Sequence, residues 1–122
     1  MKKILVAEDD KLLAQFYQKK FTKEGFDVRI ALNGEEALQK MQTFTPDVIV
    51  LDIQMPLLNG IQTLENLKAT SAWHDIPVII ATNNDDESMM TKALNLGAKG
   101  YVIKSAISLD NFVKKIYSFI HT

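Results

Sequence analysis

Short apolar runs alternate along the chain with longer segments whose apolar positions repeat at helical spacing. Three of the five short runs are apolar throughout, which is typical of strands that helices cover on both faces. The pattern predicts strands at 3–8, 27–31, 47–52, 77–82 and 100–103, and helices near 10–24, 34–43, 58–70, 86–96 and 108–120. Five successive strand–helix units predict one α/β domain over residues 1–122, with a parallel sheet and right-handed crossovers.

The sequence also predicts which faces of the helices are apolar and where the helices begin and end. One apolar stripe at helical spacing marks the last helix, through Leu109, Phe112, Val113, Ile116 and Ile120, and another marks the first, through Leu13, Phe16, Tyr17 and Phe21. Side chains that favour the helix N-cap are Asp10, Asn33 (with Glu36 as a capping-box partner) and Asp85. Gly25 and Gly97 stand where a helix C-terminus favours a left-handed residue.

Four strands end on, or one residue before, a polar group that phosphoryl chemistry uses. Carboxylates follow the first and third strands at Glu8, Asp9 and Asp52, the fourth strand ends at the hydroxyl of Thr82, and the fifth runs into Lys104. In a parallel sheet the carboxyl ends of the strands share one edge, and ligands bind in the crevice there. We therefore expect these side chains to converge.

Three neighbouring carboxylates repel one another unless a cation neutralises them. Hard oxygen ligands with no His or Cys nearby suit Mg²⁺, with Mn²⁺ as the alternative ion. Mg²⁺ takes one or two carboxylates together with a phosphate, which leaves Asp52 able to act as a nucleophile on phosphorus. Lys104 would then supply a second cation to the phosphoryl oxygens. A purely structural acidic cluster is the simpler alternative.

Composition narrows the function classes. The net charge of −1 gives no support to direct nucleic-acid binding, and the absence of Cys excludes disulfides and thiolate metal sites. No apolar stretch approaches the roughly 20 residues of a membrane helix, so we expect no membrane contact and a cytoplasmic location. Whether the chain is a stand-alone regulator or a domain cut from a longer protein stays open.

The chain resembles the receiver domain of bacterial two-component response regulators over its whole length. The resemblance rests on Glu8-Asp9-Asp10, on Asp52 with Pro56 and, four residues later, Gly60, on Thr82, and on the run from Gly100 to Lys104. It implies a flavodoxin-like doubly wound sheet, with strand order 2-1-3-4-5 and five flanking helices.

The resemblance also implies roles for single residues. Asp52 would accept a phosphoryl group from a histidine on a sensor kinase or phosphotransfer protein, and Lys104 would pair with that group. The metal ligands would be the carboxylates of Glu8, Asp9 and Asp52 with the backbone carbonyl of Gln54. The chain would be a switch with at most self-phosphorylation and slow self-dephosphorylation activity, and not an enzyme.

The resemblance places the readout on a surface away from Asp52. Thr82 would move to hydrogen-bond the phosphoryl group, and Tyr101 would turn from an exposed to an inward position. The surface formed by residues 86–120 would then change and control binding of a downstream protein or effector domain, with a phosphorylation-dependent dimer as one form of that readout. Such a local event has a global effect only if it biases an element with two arrangements.

Three other functions remain open from the residues. A Mg²⁺-dependent phosphatase with an aspartyl nucleophile would need an acid two residues after Asp52, where Gln54 stands. A flavin carrier would need a Ser-, Thr- or Gly-rich phosphate loop in place of Glu8-Asp9-Asp10. A degenerate receiver would bind partners without phosphorylation.

Some positions depart from the commoner choices of the resembled family. Asn83 stands where a very small residue is usual, and Ser105 stands where proline, often in cis linkage, is usual. A cis bond before a non-proline residue costs about 3–4 kcal/mol, so we expect a trans bond and a differently shaped loop after Lys104. Gln54 and Asn84 occupy positions that influence how long the phosphoryl group survives.

The bulk of Asn83 is expected to narrow access to Asp52. Asn83→Ala should therefore speed phosphorylation by small phosphodonors, measured as the rate of adduct formation under identical donor and Mg²⁺ concentrations. An unchanged rate would remove the steric argument.

Overall fold

The computed structural model describes residues 1–120, so residues 121 and 122 of the predicted domain lie outside the described residues. The strands are β1 (Lys3–Ala7), β2 (Asp27–Ala31), β3 (Val48–Leu51), β4 (Val78–Thr82) and β5 (Gly100–Ile103). The helices are α1 (Lys11–Lys23), α2 (Gly34–Lys40), α3 (Gly60–Ala69), α4 (Glu87–Asn95) and α5 (Leu109–Ile120). A short 3₁₀ turn, Lys104–Ala106, separates β5 from α5.

All five strands pair in parallel in the order β2-β1-β3-β4-β5. This confirms the predicted α/β fold class and the doubly wound strand order. The order reverses between β1 and β3, and a crevice forms outside the carboxyl ends of the strands at such a point. Among residues 1–120, no helix combines the length and the apolar character needed to cross a membrane.

Alternate side chains of the strands point to opposite faces, and each face is covered by helices. Ile4 and Val6 of β1 join the cluster formed with α1 and α5, whereas Leu5 and Ala7 join the cluster formed with α2, α3 and α4. The residues of β3, of β4 and of β1 after Lys3 are therefore buried on both faces of the sheet, which is why these strands are almost entirely apolar.

Aromatic rings hold α1 and α5 against the sheet. Tyr17 and Phe112 have ring centroids 5.5 Å apart, and Phe21 meets Phe112 edge-on at 5.9 Å. The predicted stripe of α5 is buried at Phe112, Val113 and Ile116, but Leu109 is 38% exposed. The prediction that Phe16 packs inward was wrong, since Phe16 is 49% exposed. The helical period instead buries Ala14, Tyr17 and Phe21 along one line.

Hydrogen bonding explains where the helix ends differ from the predicted ones. Asp10 caps α1 by accepting from the backbone N–H groups of Leu12 and Leu13, as predicted. The cap of α4 is Asp86, not Asp85, because the carboxylate of Asp86 accepts from the backbone of Ser88. Asn33 accepts from the Glu36 N–H, whereas the reciprocal capping box was found at Asn59 and Gln62.

The second helix is three residues shorter than predicted, ending at Lys40 and not at 43. After Lys40 the N–H groups of Gln42 and Thr43 donate to carbonyls three residues back, at 3.1 and 3.2 Å. Tighter turns of this kind terminate an α-helix.

The loop from β3 to α3 passes very close to the backbone of Asp52. Gly60 donates its N–H to the Ile53 carbonyl at 2.9 Å, and Leu57 in the same loop has a φ of 67°. A Cβ atom added at Gly60 would lie 2.1 Å from the Asp52 carbonyl oxygen. Only glycine therefore allows this approach of α3 to the end of β3.

Gly60→Ala should lower the free energy of unfolding by about 1–3 kcal/mol, the usual cost of overpacking, because the backbone of Asp52 must shift. Chemical denaturation measures the loss. Glu65→Ala, at an exposed position of the same helix, is the control and should change stability by less than about 0.5 kcal/mol. Equal effects of the two substitutions would contradict the close-contact argument.

Candidate functional site

The strand register places the predicted side chains side by side. Ala7 of β1 pairs with Leu51 of β3, so that Glu8 and Asp52 are the next residues on neighbouring strands. Thr82 of β4 pairs with Ile103 of β5, so that Lys104 follows directly. The structure thus brings together the groups that the sequence analysis placed at one sheet edge.

An ammonium shared by two carboxylates forms the centre of the site. The Nζ atom of Lys104 donates to Oε1 of Glu8 at 2.7 Å and to Oδ2 of Asp52 at 3.0 Å. The side chains of Lys104, Glu8 and Asp52 are 13%, 3% and 9% exposed. Because water has little access to the three groups, the electrostatic attraction between them is stronger than that in a surface ion pair.

Burial and pairing shift two pKa values. Burial raises the pKa of Glu8 above its usual value of 4.5, although hydrogen bonds from Lys104 and from the Asp10 backbone oppose the shift. For Lys104, burial alone would lower the pKa, but hydrogen bonds to Glu8 and Asp52 outweigh it and raise the pKa above 10.5. Lys104 therefore stays charged up to its raised pKa, well above neutral pH.

A cavity of about 380 Å³ opens over these groups, lined by Glu8, Asp9, Asp10, Asp52, Gln54, Thr82, Asn83, Asn84 and Lys104. One carboxylate oxygen from each of Glu8, Asp9 and Asp52 lies within 4.8 Å of the others. One ammonium faces several carboxylates here, so negative charge is left in excess. The donor set consists of hard oxygens and fits a Mg²⁺ or Mn²⁺ ion.

A chain of hydrogen bonds connects the cavity to β5. Thr82 is buried, and its Oγ1 accepts from the Asn84 N–H at 3.3 Å. The carbonyl of Asn84 in turn accepts from the Tyr101 hydroxyl at 2.7 Å. Tyr101 is half-buried and packs against the cluster under α2, α3 and α4. The inward movement of Tyr101 on phosphorylation stays a prediction.

Asn83 and Ser105, the two residues that differ from the usual choices of the resembled family, contact each other. The backbone N–H of Ser105 donates to the side-chain Oδ1 of Asn83 at 2.8 Å. All described peptide bonds are trans, including the one after Lys104. This bond could not be predicted from the sequence, since a side-chain-to-backbone contact between positions 83 and 105 leaves no periodic signal.

The chain matches the response regulator receiver domain family over residues 4–117. It belongs to this family. Among curated proteins it is 38% identical over 103 residues to the alkaline phosphatase synthesis transcriptional regulatory protein PhoP of Bacillus subtilis, covering 84% of this chain and 42% of that protein. It is 37% identical over 121 residues to the probable transcriptional regulator ycf27 of Cyanidium caldarium, covering 98% and 47%.

Solved structures agree with this receiver fold. A receiver domain of a Francisella response regulator superposes with a TM-score of 0.89 at 36% identity, covering 99% of this chain and 98% of that one. The phosphorylated cyanobacterial phytochrome response regulator RcpA superposes with a TM-score of 0.89 at 26% identity, covering 99% and 94%. The receiver domain spans less than half the length of the curated relatives it matches, at 42% and 47%.

Lys104→Met should lower the free energy of unfolding by about 3 kcal/mol at pH 8 without divalent cations, because two buried carboxylates lose their partner. The pKa of Lys104 is raised, so the stabilisation is complete below pH 10.5 and is lost as pH rises through the folded-state pKa. Denaturation of both proteins from pH 8 to 11 should show the difference shrinking at the alkaline end.

The matched control is Lys92→Met, at an exposed position on α4. Its stability difference from the wild type should stay near zero across the same pH range. A Lys104→Met difference that is small at pH 8, or that does not depend on pH, would contradict the buried ion pair.

Proposed function

We propose that this receiver domain is a phospho-acceptor switch in a two-component phosphorelay, with Asp52 as the acceptor. The observation that carries the proposal is the ammonium of Lys104, held between Glu8 and Asp52 at 2.7 and 3.0 Å beside the acidic cavity. Membership of the receiver family supports the switch role, and the 26% identical RcpA is described as phosphorylated.

The chemical step follows from the free oxygen of Asp52. Lys104 occupies Oδ2, and no hydrogen bond to Oδ1 was found among the described residues. Oδ1 attacks phosphorus, an oxygen–phosphorus bond forms, and the bond to the donor's histidine nitrogen or acyl oxygen breaks, with the electron pair leaving on the donor. The Lys104 ammonium stays within reach of the incoming phosphoryl oxygens and offsets their charge.

The carboxylates of Glu8, Asp9 and Asp52, with the backbone carbonyl of Gln54, would hold the divalent cation. When bound, Mg²⁺ or Mn²⁺ shields the negative charge of the acceptor and of the phosphoryl group and orients both. Glu8 also accepts the Asp10 N–H at 3.1 Å, which fixes its carboxylate at the end of β1. Of the proposed ligands, Glu8 is thus held in place by hydrogen bonds.

A change at the site would reach the surface through the hydrogen bonds that link Thr82, Asn84 and Tyr101. If the Thr82 hydroxyl turns to donate to a phosphoryl oxygen, the Asn84 N–H loses its acceptor, and the carbonyl that holds Tyr101 is displaced with it. The loop before α4 and the side chain of Tyr101 are therefore the two-state element. The surface of residues 86–120, with the half-buried Met89 and Met90, would bind the downstream partner.

The partners follow from this role. A sensor histidine kinase or a phosphotransfer protein supplies the phosphoryl group, and a downstream protein or effector domain reads the 86–120 surface, with dimerisation on phosphorylation as one form of output. Direct contact with nucleic acid or membrane is not part of the proposal. A cytoplasmic location stays a prediction.

The phosphatase alternative has less support. Gln54 lines the cavity but is an exposed amide that cannot protonate a leaving group. Asp10 is also at the cavity, yet its carboxylate is used to cap α1. The self-dephosphorylation expected of the switch is therefore slow, with water as the acceptor.

Incubation with acetyl phosphate and Mg²⁺ should add one phosphoryl group to the wild type and none to Asp52→Asn, measured by intact-mass spectrometry. Chelation of the divalent cation should abolish the adduct. Hydroxylamine should remove it, because an acyl phosphate is cleaved by this nucleophile and a phosphoserine is not.

Asp27→Asn is the matched control, because Asp27 lies at the start of β2, at the opposite end of the strands from the cavity. It should accept the phosphoryl group as the wild type does. An adduct that persists in Asp52→Asn, or that forms equally without divalent cations, would contradict the proposal.

A further inference from the structure

The ladder between β4 and β5 stops just before Lys104. Lys99 donates its N–H to the Val78 carbonyl at 2.8 Å, and the bonds of a parallel ladder recur at every second residue. Continued at that spacing, the next N–H beyond the last strand pair, that of Ser105, would donate to the Asn84 carbonyl. That carbonyl instead accepts the Tyr101 hydroxyl.

The Asn83 side chain supplies the acceptor that the ladder lacks. Its Oδ1 lies 2.8 Å from the Ser105 nitrogen, so a side-chain amide replaces the backbone carbonyl at this rung. The N–H involved belongs to the peptide group that joins Lys104 to Ser105. Asn83 therefore restrains the backbone directly after Lys104.

Asn83 also stands between two cavities. It lines the acidic cavity together with Asp52 and Lys104, and it lines a neighbouring cavity of about 280 Å³ together with Tyr17, Lys104 and Ser105. The same two residues, Asn83 and Lys104, border both spaces. A loop free to rotate here would let the Lys104 ammonium swing away from Glu8 and Asp52.

We infer that Asn83 is a positioning residue that holds Lys104 on the acceptor site through its hydrogen bond to the Ser105 N–H. The inference rests on the proposed phospho-acceptor function and deepens it. Asn83 then affects the rate of phosphorylation in two opposite ways. Its volume narrows access to Asp52 and slows the reaction, whereas its hydrogen bond keeps the Lys104 ammonium in place and speeds the reaction. The two effects are separable because one depends on volume and the other on a hydrogen-bond acceptor.

Asn83→Leu separates them, since leucine has a similar branched shape and no acceptor. The rate of phosphorylation by acetyl phosphate at saturating Mg²⁺ should fall about fivefold, the equivalent of one ordinary hydrogen bond. The Mg²⁺ affinity should not fall, because the carboxylates of Glu8, Asp9 and Asp52 are retained and a displaced Lys104 ammonium repels the cation less. The ¹⁵N resonance of Lys104 Nζ should shift, and the Ser105 amide should exchange faster with solvent.

Two further variants complete the comparison. Ser105→Ala retains the backbone N–H and should leave the rate and the Lys104 resonance as in the wild type. Asn83→Ala loses both volume and acceptor, so its rate relative to Asn83→Leu reports access alone. The faster phosphorylation expected for Asn83→Ala over the wild type then requires that easier access to Asp52 raises the rate more than the lost positioning of Lys104 lowers it.

A wild-type rate in Asn83→Leu, or a slower rate with an unshifted Lys104 resonance, would overturn the inference. Thermal unfolding of each variant shows whether the fold is retained; Asn83 is exposed, so no large loss is expected. If the wild type itself forms no adduct, the proposed function fails. The Lys104 resonance in Asn83→Leu and Ser105→Ala then decides the positioning role by itself.

Discussion

The parallel register of the central strands is the constraint on which the rest of this receiver domain depends. Pairing of Ala7 with Leu51 and of Thr82 with Ile103 brings four strand ends level at one edge. Residues far apart in sequence, among them Glu8 and Lys104, then lie within hydrogen-bond distance. A slip of one residue would turn each side chain to the other face, so the buried apolar positions also hold the site in place.

Burial of carboxylates beside a single ammonium sets the electrostatics of the acidic cavity. Glu8 and Asp52 are nearly inaccessible, and the raised pKa of Glu8 reflects the cost of keeping its charge away from water. Lys104 offsets part of that cost and leaves negative charge in excess. A site with this excess of negative charge favours ligands that bring positive charge, and in the proposed function it rearranges when a phosphoryl group adds further negative charge.

Beyond the ends of β4 and β5, side-chain hydrogen bonds take the place of the backbone ladder. The Tyr101 hydroxyl donates to the Asn84 carbonyl and joins the loop after β4 to β5, and the Ser105 N–H donates to Asn83 and joins that loop to the one after β5. Bonds of this kind at an exposed edge are weaker than core packing, and they exchange more easily. The proposed two-state element therefore lies where the regular sheet ends.

The sequence by itself determined the fold class, the five strand–helix units and the identity of the groups at the acidic edge. Strands such as Val48–Leu51 are apolar throughout because both faces are covered, and that pattern is local and readable. The tertiary structure decided which groups touch. The bond between Asn83 and Ser105, the exposure of Phe16 and the cap at Asp86 depend on loop geometry and helix rotation, which arise only when the elements pack together. Periodicity encodes burial, whereas a single hydrogen bond between distant loops leaves no pattern along the chain.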